Sequence, residues 1–194
     1  MMYSDLYFNE VVEIATGLDK NKVEKLAKQI ADIRDHAGRV FVLGVGGSAG
    51  NASHMVNDLR KLCGCEAYAP TDNVPELTAR TNDEGFDTVF TEYLRVSHFC
   101  SRDAIFVLSV GGGNKEKNVS VGIVKAIDLA KEYGAKVLGI VGKSDGYAAK
   151  MGDNVVVVPA PSPDRVTPHS EAFQAVVWHC LVSNPALQKN STKW

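Results

Sequence analysis

Two pairs of side chains in this chain are spaced to do chemistry together: His54 with Asp58, and Glu171 with His179. A histidine and an aspartate four residues apart on a helix lie on one face, so imidazole and carboxylate are neighbours. The second pair is eight residues apart, a little over two helical turns, with the small Ala175 between them. Imidazole and carboxylate together suit a borderline divalent cation such as zinc, and the same groups can move protons. Each histidine also has a plain structural reading. His54 fits a polar surface position near a helix start, and His179 fits a core position satisfied by a carbonyl.

A second chemistry lies in two glycine-rich loops, each at the end of an apolar, β-branched run. Val40 to Leu43 empties into Gly44-Val45-Gly46-Gly47-Ser48-Ala49-Gly50, and Ala104 to Val110 into Gly111-Gly112-Gly113-Asn114-Lys115. A loop without large side chains lets backbone N–H groups approach an anion, and a helix start behind it adds a favourable dipole. Two such loops in one chain point to a phosphorylated ligand held between strand ends. Lys61, Lys115 and Lys117 are cations that could pair with it, although a lysine is by default a surface residue.

These groups need a frame, and hydrophobic periodicity supplies one. Helices are expected over 3–16, from Asp19 to Gly38, over 49–62, 86–99, 119–133 and 170–183, and strands over 40–45, 66–69, 104–110, 136–141 and 154–158. Pro70 and Pro75 are read as bracketing a loop, Thr81-Asn82-Asp83 as an inter-helix turn, and Pro161, Pro163 and Pro168 as holding an extended loop. Strands alternating with helices give an α/β fold: a five-stranded parallel sheet covered on both faces, a three-layer sandwich preceded by N-terminal helices. Ligands of such sheets sit beyond the carboxyl ends of the strands, where both glycine loops belong. His169, just before the last helix, is read as a cap or a substrate contact, the cap being the default, and His36 and His98 as helix-end residues.

The chain's 194 residues suit one domain, 1–194, with a helical hairpin at 1–38 and an α/β core at 39–185. A net charge of −2 offers no basic footprint for nucleic acid, and no apolar run approaches membrane-spanning length. Cys63 and Cys65 are too close for an easy mutual disulfide, and Cys100 and Cys180 read as core residues. Reduced cysteines and an N-terminus without a basic leader give a cytoplasmic expectation. The apolar surface of the hairpin implies packing against copies of the same chain.

Gly44-Val45-Gly46-Gly47-Ser48 followed by His54 and Asp58 resembles the opening motif of the sugar isomerase (SIS) domain family. The stretch Leu77 to Phe86 with Val89-Phe90 is similar to the middle motif of its phosphoheptose isomerase branch, and Glu171 with His179 matches the C-terminal motif in position. The resemblance covers nearly the whole chain. It implies a flavodoxin-like SIS fold, a homotetramer, and conversion of sedoheptulose 7-phosphate to D-glycero-D-manno-heptose 7-phosphate for lipopolysaccharide or capsule precursors. It further implies a zinc site at His54, Asp58, Glu171 and His179, with Asp58 and His179 as the acid–base pair. Substrate contacts are implied at Gly46, Gly47, Ser48, Asn82 and Asp83, and phosphate contacts at Ser109, Gly111, Gly112, Gly113, Asn114 and Lys115. The chain departs from the family pattern at Asp58 (usually glutamate), Glu171 (usually glutamine), Val45 (usually asparagine) and in a phosphate loop poor in hydroxyls. A non-catalytic SIS domain that binds a sugar phosphate or a replication-initiator partner is the alternative.

Overall fold

The structure, a computed structural model, describes residues 2–192. Its elements are α1 (Tyr3–Gly17), α2 (Lys20–Asp35), β1 (Arg39–Leu43), α3 (Gly47–Cys63), β2 (Glu66–Tyr68), α4 (Val74–Asp83), α5 (Val89–Val96), β3 (Ala104–Ser109), α6 (Val121–Glu132), β4 (Lys136–Val141), α7 (Tyr147–Met151), β5 (Asn154–Val157) and α8 (Val166–Val182). All strand pairs are parallel, in the order β2-β1-β3-β4-β5. The order reverses between β1 and β3, the two strands that end in the glycine loops, and the crevice at such a reversal is where α/β sheets bind ligands.

Successive strand residues point to opposite faces, and the core divides accordingly. Val40, Val42, Phe106, Leu108, Leu138 and Ile140 pack with Ile14, Leu26, Ile30, Met55, Leu59, Trp178 and Leu181 of α1, α2, α3 and α8. Phe41, Leu43, Ile105, Val107, Val137 and Val141 pack on the other side with Phe90, Leu94, Ile123, Ile127 and Ala148 of α5, α6 and α7. The two N-terminal helices thus share the core of the sheet.

All five expected strands are present, ending one or two residues early at β1, β2, β3 and β5. Several readings are corrected. Residues 74–83 form α4 in place of the expected loop bracketed by Pro70 and Pro75 and the expected inter-helix turn at 81–83: Asn73 Oδ1 caps it by accepting from the Glu76 N–H at 3.3 Å, and Pro75 sits in the first turn, where a missing N–H costs nothing. Asn82 and Asp83 therefore close a helix. Residues 86–88 form a 3₁₀ turn before α5, and α8 begins at Val166, with Pro168 inside its first turn and His169 on the helix proper. Cys180 is exposed and Cys100 half-buried, so neither is core; Cys63 and Cys65 are buried, and burial pushes their thiols up to about 12 and about 11.

Candidate active site

The ends of β1 and β3 make one half of the candidate site from backbone. After β3, Gly112 and Gly113 take positive φ of 70° and 82°, left-handed backbone that glycine adopts without strain. This folds the loop so that the Gly112 N–H donates to Ser109 Oγ at 3.0 Å. Having accepted that bond, the Ser109 hydroxyl retains its own proton to donate. A cavity of about 440 Å³ opens here, lined by Val45, Ser48, Ser109, Val110, Gly111, Val119, Ser120, Lys143, Pro163, Asp164, Val166 and Thr167.

Of the expected phosphate and substrate residues, Ser48, Ser109 and Gly111 line this cavity. Gly46 and Gly47 form the turn into α3. Gly113, Asn114 and Lys115 line a separate cavity with Glu116, Asp145, Tyr147 and Lys150, and Lys115 Nζ lies 3.6 Å from Asp128 Oδ2. Asn82 and Asp83 are exposed on the last turn of α4, Asn82 Nδ2 donating to Asp83 Oδ1 at 2.7 Å, and neither borders the cavity.

The other half is made of side chains on α3 and α8, which pack side by side. His54, Asp58 and His179 each offer a ligand atom, and the three atoms lie within 4.8 Å of one another. His54 Nε2 is 3.8 Å from Asp58 Oδ2, and Asn57 Nδ2 donates to Asp58 Oδ1 at 2.8 Å. His179 Nδ1 is 2.8 Å from the Ala175 carbonyl oxygen. A carbonyl can only accept, so Nδ1 carries the proton and Nε2 keeps its lone pair facing outward. The buried Trp178 indole stacks on His179 at 3.6 Å between centroids and meets His54 edge-on at 4.6 Å. Asp58 is buried while both imidazoles are exposed. Two nitrogens and one carboxylate oxygen with an open side fit a divalent cation that keeps a position for a substrate oxygen.

Glu171 does not join this trio. Its carboxylate lies over the first residue of α3, where a Cβ added at Gly47 would come within 2.5 Å of Oε2, and its backbone oxygen accepts from Asn51 Nδ2 at 2.9 Å. Along α8, eight residues of helical rise separate Glu171 from His179 by ~12 Å, which a shared direction on the helix does not shorten. None of His54, Asp58 and His179 lines the 440 Å³ cavity.

Sequence reasoning passed over Lys143, Asp164 and Thr167, which line the cavity from the segments after β4 and β5, where no spacing marks them. It also missed a buried network. Arg165 Nε and Nη2 donate to Glu10 Oε2 and Oε1 at 2.8 and 2.7 Å, and His169 Nε2 lies 2.7 Å from Glu10 Oε2. Tyr7 stacks on the His169 ring at 4.4 Å. His169, expected as a helix cap, instead ties α8 to α1. The Arg165 hydrogen bonds, then that of His169, hold the Glu10 carboxyl down to about 2.

The sequence profile of the SIS domain matches residues 6–142. The chain is 31% identical over 148 residues to a probable phosphoheptose isomerase of Thermoplasma volcanium, covering 73% of this chain and 71% of that protein. It is 33% identical over 171 residues to a phosphoheptose isomerase of Vibrio cholerae, covering 81% and 85%. The solved structure of phosphoheptose isomerase from Neisseria gonorrhoeae superposes with a TM-score of 0.78 at 24% identity, over 92% of this chain and 95% of that one, a likeness of fold.

Proposed function

The chain belongs to the SIS domain family, and from that premise we propose that it is a phosphoheptose isomerase. It interconverts sedoheptulose 7-phosphate and D-glycero-D-manno-heptose 7-phosphate in the cytoplasm, supplying heptose for lipopolysaccharide or capsule precursors. The observation that carries this reading is the convergence of His54, Asp58 and His179, from helices far apart in sequence, in a protein whose relatives bear that name. No helix among the described residues is long and apolar enough to cross a membrane, in keeping with the proposed location.

The reaction moves two protons between neighbouring carbons and their oxygens. The Asp58 carboxylate takes a proton from C1 of the ketose, leaving an enediolate, and returns it to C2. His179 Nε2, with its lone pair outward, relays the hydroxyl proton from the C1 oxygen to the C2 oxygen. Asn57, donating to Asp58 Oδ1, leaves Oδ2 as the basic oxygen on the side of His54. His54, Asp58 and His179 would hold zinc or a similar divalent ion, which supplies Lewis-acid stabilisation of the enediolate oxygens. Asp58 then serves both as ligand and as base, and His179 Nε2 both as ligand and as proton relay, so the roles compete for one carboxylate and one lone pair. Glu171 is a fourth candidate ligand, requiring a turn of its side chain away from Gly47.

The phosphate occupies the cavity at Ser48, Ser109 and Gly111, which the trio does not line. The proposed enzyme therefore works as a homotetramer in which one copy's cradle meets another copy's trio. Residues 39–185 form the α/β core of a single domain, with hairpin 1–38 helping assembly. Tyr3, Phe8 and Val12 on α1 and Val176 on α8, between 54% and 67% exposed, support such contacts. Asn82 and Asp83 on the outer helix α4 would reach the sugar of a neighbouring copy in the same way.

The test is to follow aldose formation from sedoheptulose 7-phosphate by NMR, before and after chelation and with zinc restored. Turnover that chelation removes and zinc restores is expected. Absence of turnover with any divalent ion, alongside intact sugar-phosphate binding, favours the non-catalytic binding protein. The shared site has its own test: a Gly111→Trp chain, whose indole fills the cradle, and a His179→Ala chain, each expected to be inactive alone, are unfolded together and refolded as hybrids; they should regain part of the activity if sites form between copies, and none if each chain is self-sufficient.

A further inference from the structure

We propose that Lys143 supplies the cation that holds the substrate phosphate, the part the sequence pattern lent to Lys115. The proposal rests on the sugar-phosphate reading above. Lys115 is paired with Asp128 and lines the other cavity, on the far side of the glycine loop. Lys143 lines the cavity that contains Ser48, Ser109 and Gly111; its backbone carbonyl accepts from the Gly146 N–H at 3.4 Å, but among the described residues its side-chain ammonium has no hydrogen-bond or ion-pair partner. It is the one cation lining that space; Asp164 is the one carboxylate. A dianion entering a site with an acidic wall gains little unless a positive charge meets it.

The backbone fixes where the lysine stands. The Gly142 N–H donates to the Val110 carbonyl at 2.9 Å, so the turn after β4 is tied to the end of β3. That tight approach needs glycine: a Cβ at position 142 would lie 2.0 Å from Ser170 Oγ and 2.9 Å from its Cβ. Lys143 is therefore the first residue able to carry a side chain beside the Ser109 loop. The loop itself is short of hydroxyls, and its free donors are backbone N–H groups and Ser109. A lysine ammonium is a compact charge that can meet phosphate without a fixed fork geometry. Lys143 thus compensates, from the next strand, for a phosphate loop with few hydroxyl groups.

Lys143→Met, Lys143→Arg and Lys115→Met are compared with the unaltered protein by steady-state kinetics on sedoheptulose 7-phosphate and by calorimetric titration with inorganic phosphate. Loss of one charge-assisted contact in Lys143→Met should raise KM and weaken phosphate binding by about tenfold each, with kcat within about threefold. Lys143→Arg should recover most of the affinity, and Lys115→Met should change neither quantity by more than about twofold. Unchanged KM and phosphate affinity in Lys143→Met, or a larger loss in Lys115→Met, overturns the assignment. The phosphate titration separates this inference from the isomerase reading. Phosphate binding lost in Lys143→Met in a protein without turnover would uphold Lys143 while the activity fell. Full turnover in Lys143→Met with unchanged affinity would do the reverse.

Discussion

The two halves of the candidate site are built by opposite means. The cradle at the ends of β1 and β3 is mostly backbone: glycines, a helix start and one serine whose hydroxyl is set by a single N–H bond. The trio on α3 and α8 is all side chain, with an exposed imidazole on each helix and a carboxylate buried between. A backbone cradle is specified locally, by residues next to one another in the chain. A side-chain trio is specified only when the 120 residues of intervening chain between Asp58 and His179 have folded and two helices have packed. The cradle should therefore be damaged by crowding, and the trio by loss of a single functional group.

The largest effect belongs to the trio. Asp58→Asn or His179→Ala should lower kcat by a factor on the order of a hundred or more, the usual scale for removing a general base or acid. The fold should be unaffected by thermal melting, because the two imidazoles are exposed and asparagine keeps the shape of aspartate. A loss below about tenfold in both would remove the acid–base roles.

The cradle should respond to a single added carbon. In Gly142→Ala the new Cβ meets Ser170, whose Cβ at 2.9 Å belongs to α8 and cannot swing away. Overpacking of this kind costs about 1–3 kcal/mol, seen as a lower melting temperature, and should raise KM more than it lowers kcat. Equal falls in kcat and kcat/KM would mean that the turn after β4 serves the reacting carbons instead of the phosphate. Ser109→Ala should be milder, about threefold to tenfold in KM, since one neutral hydrogen bond to the anion is removed and the Gly112 N–H loses its acceptor.

This contrast also explains what could be read from the sequence. The strands and glycine loops were legible because they are contiguous patterns, and the reversal of strand order put both loops at one crevice. His54 with Asp58 was legible as a four-residue spacing on one helix. Glu171 with His179 was legible only as a shared direction on α8; the two turns of rise between them leave Glu171 outside the grouped trio, where its side chain would have to turn to join. Helix α4 was hidden by its own exposure: it buries no residue, so it has no apolar stripe, although Asn73 and Pro75 marked its start. Lys143, Trp178 beneath His179 and the bond from Arg165 to Glu10 depend on tertiary packing, and nothing in their sequence neighbourhoods marks them.

The smallest expected effect on turnover, and the finest test of how separate the halves are, concerns the link between α1 and α8. Arg165 and His169 lie at the start of α8, Arg165 directly before the cavity-lining Val166 and Thr167 and His169 two residues after them. Glu10, held at about 2 against an ordinary value of 4.5, must be ionised to keep both partners. Because its folded value is depressed, the link contributes fully above pH 4.5 and weakens as the pH falls toward 2. Hydrogen exchange should then show α1 amides losing protection as the pH falls from 4.5 toward 2, before those of α3 do. Glu10→Gln should show the same loosening at neutral pH and a flatter acid response, while kcat changes by less than about threefold. If acid loosened α1 equally in Glu10→Gln, the carboxylate would not be what holds the helix. If the variant instead lost turnover as severely as His179→Ala, the start of α8 would carry force from the hairpin into the trio, and the two halves would be one mechanical unit.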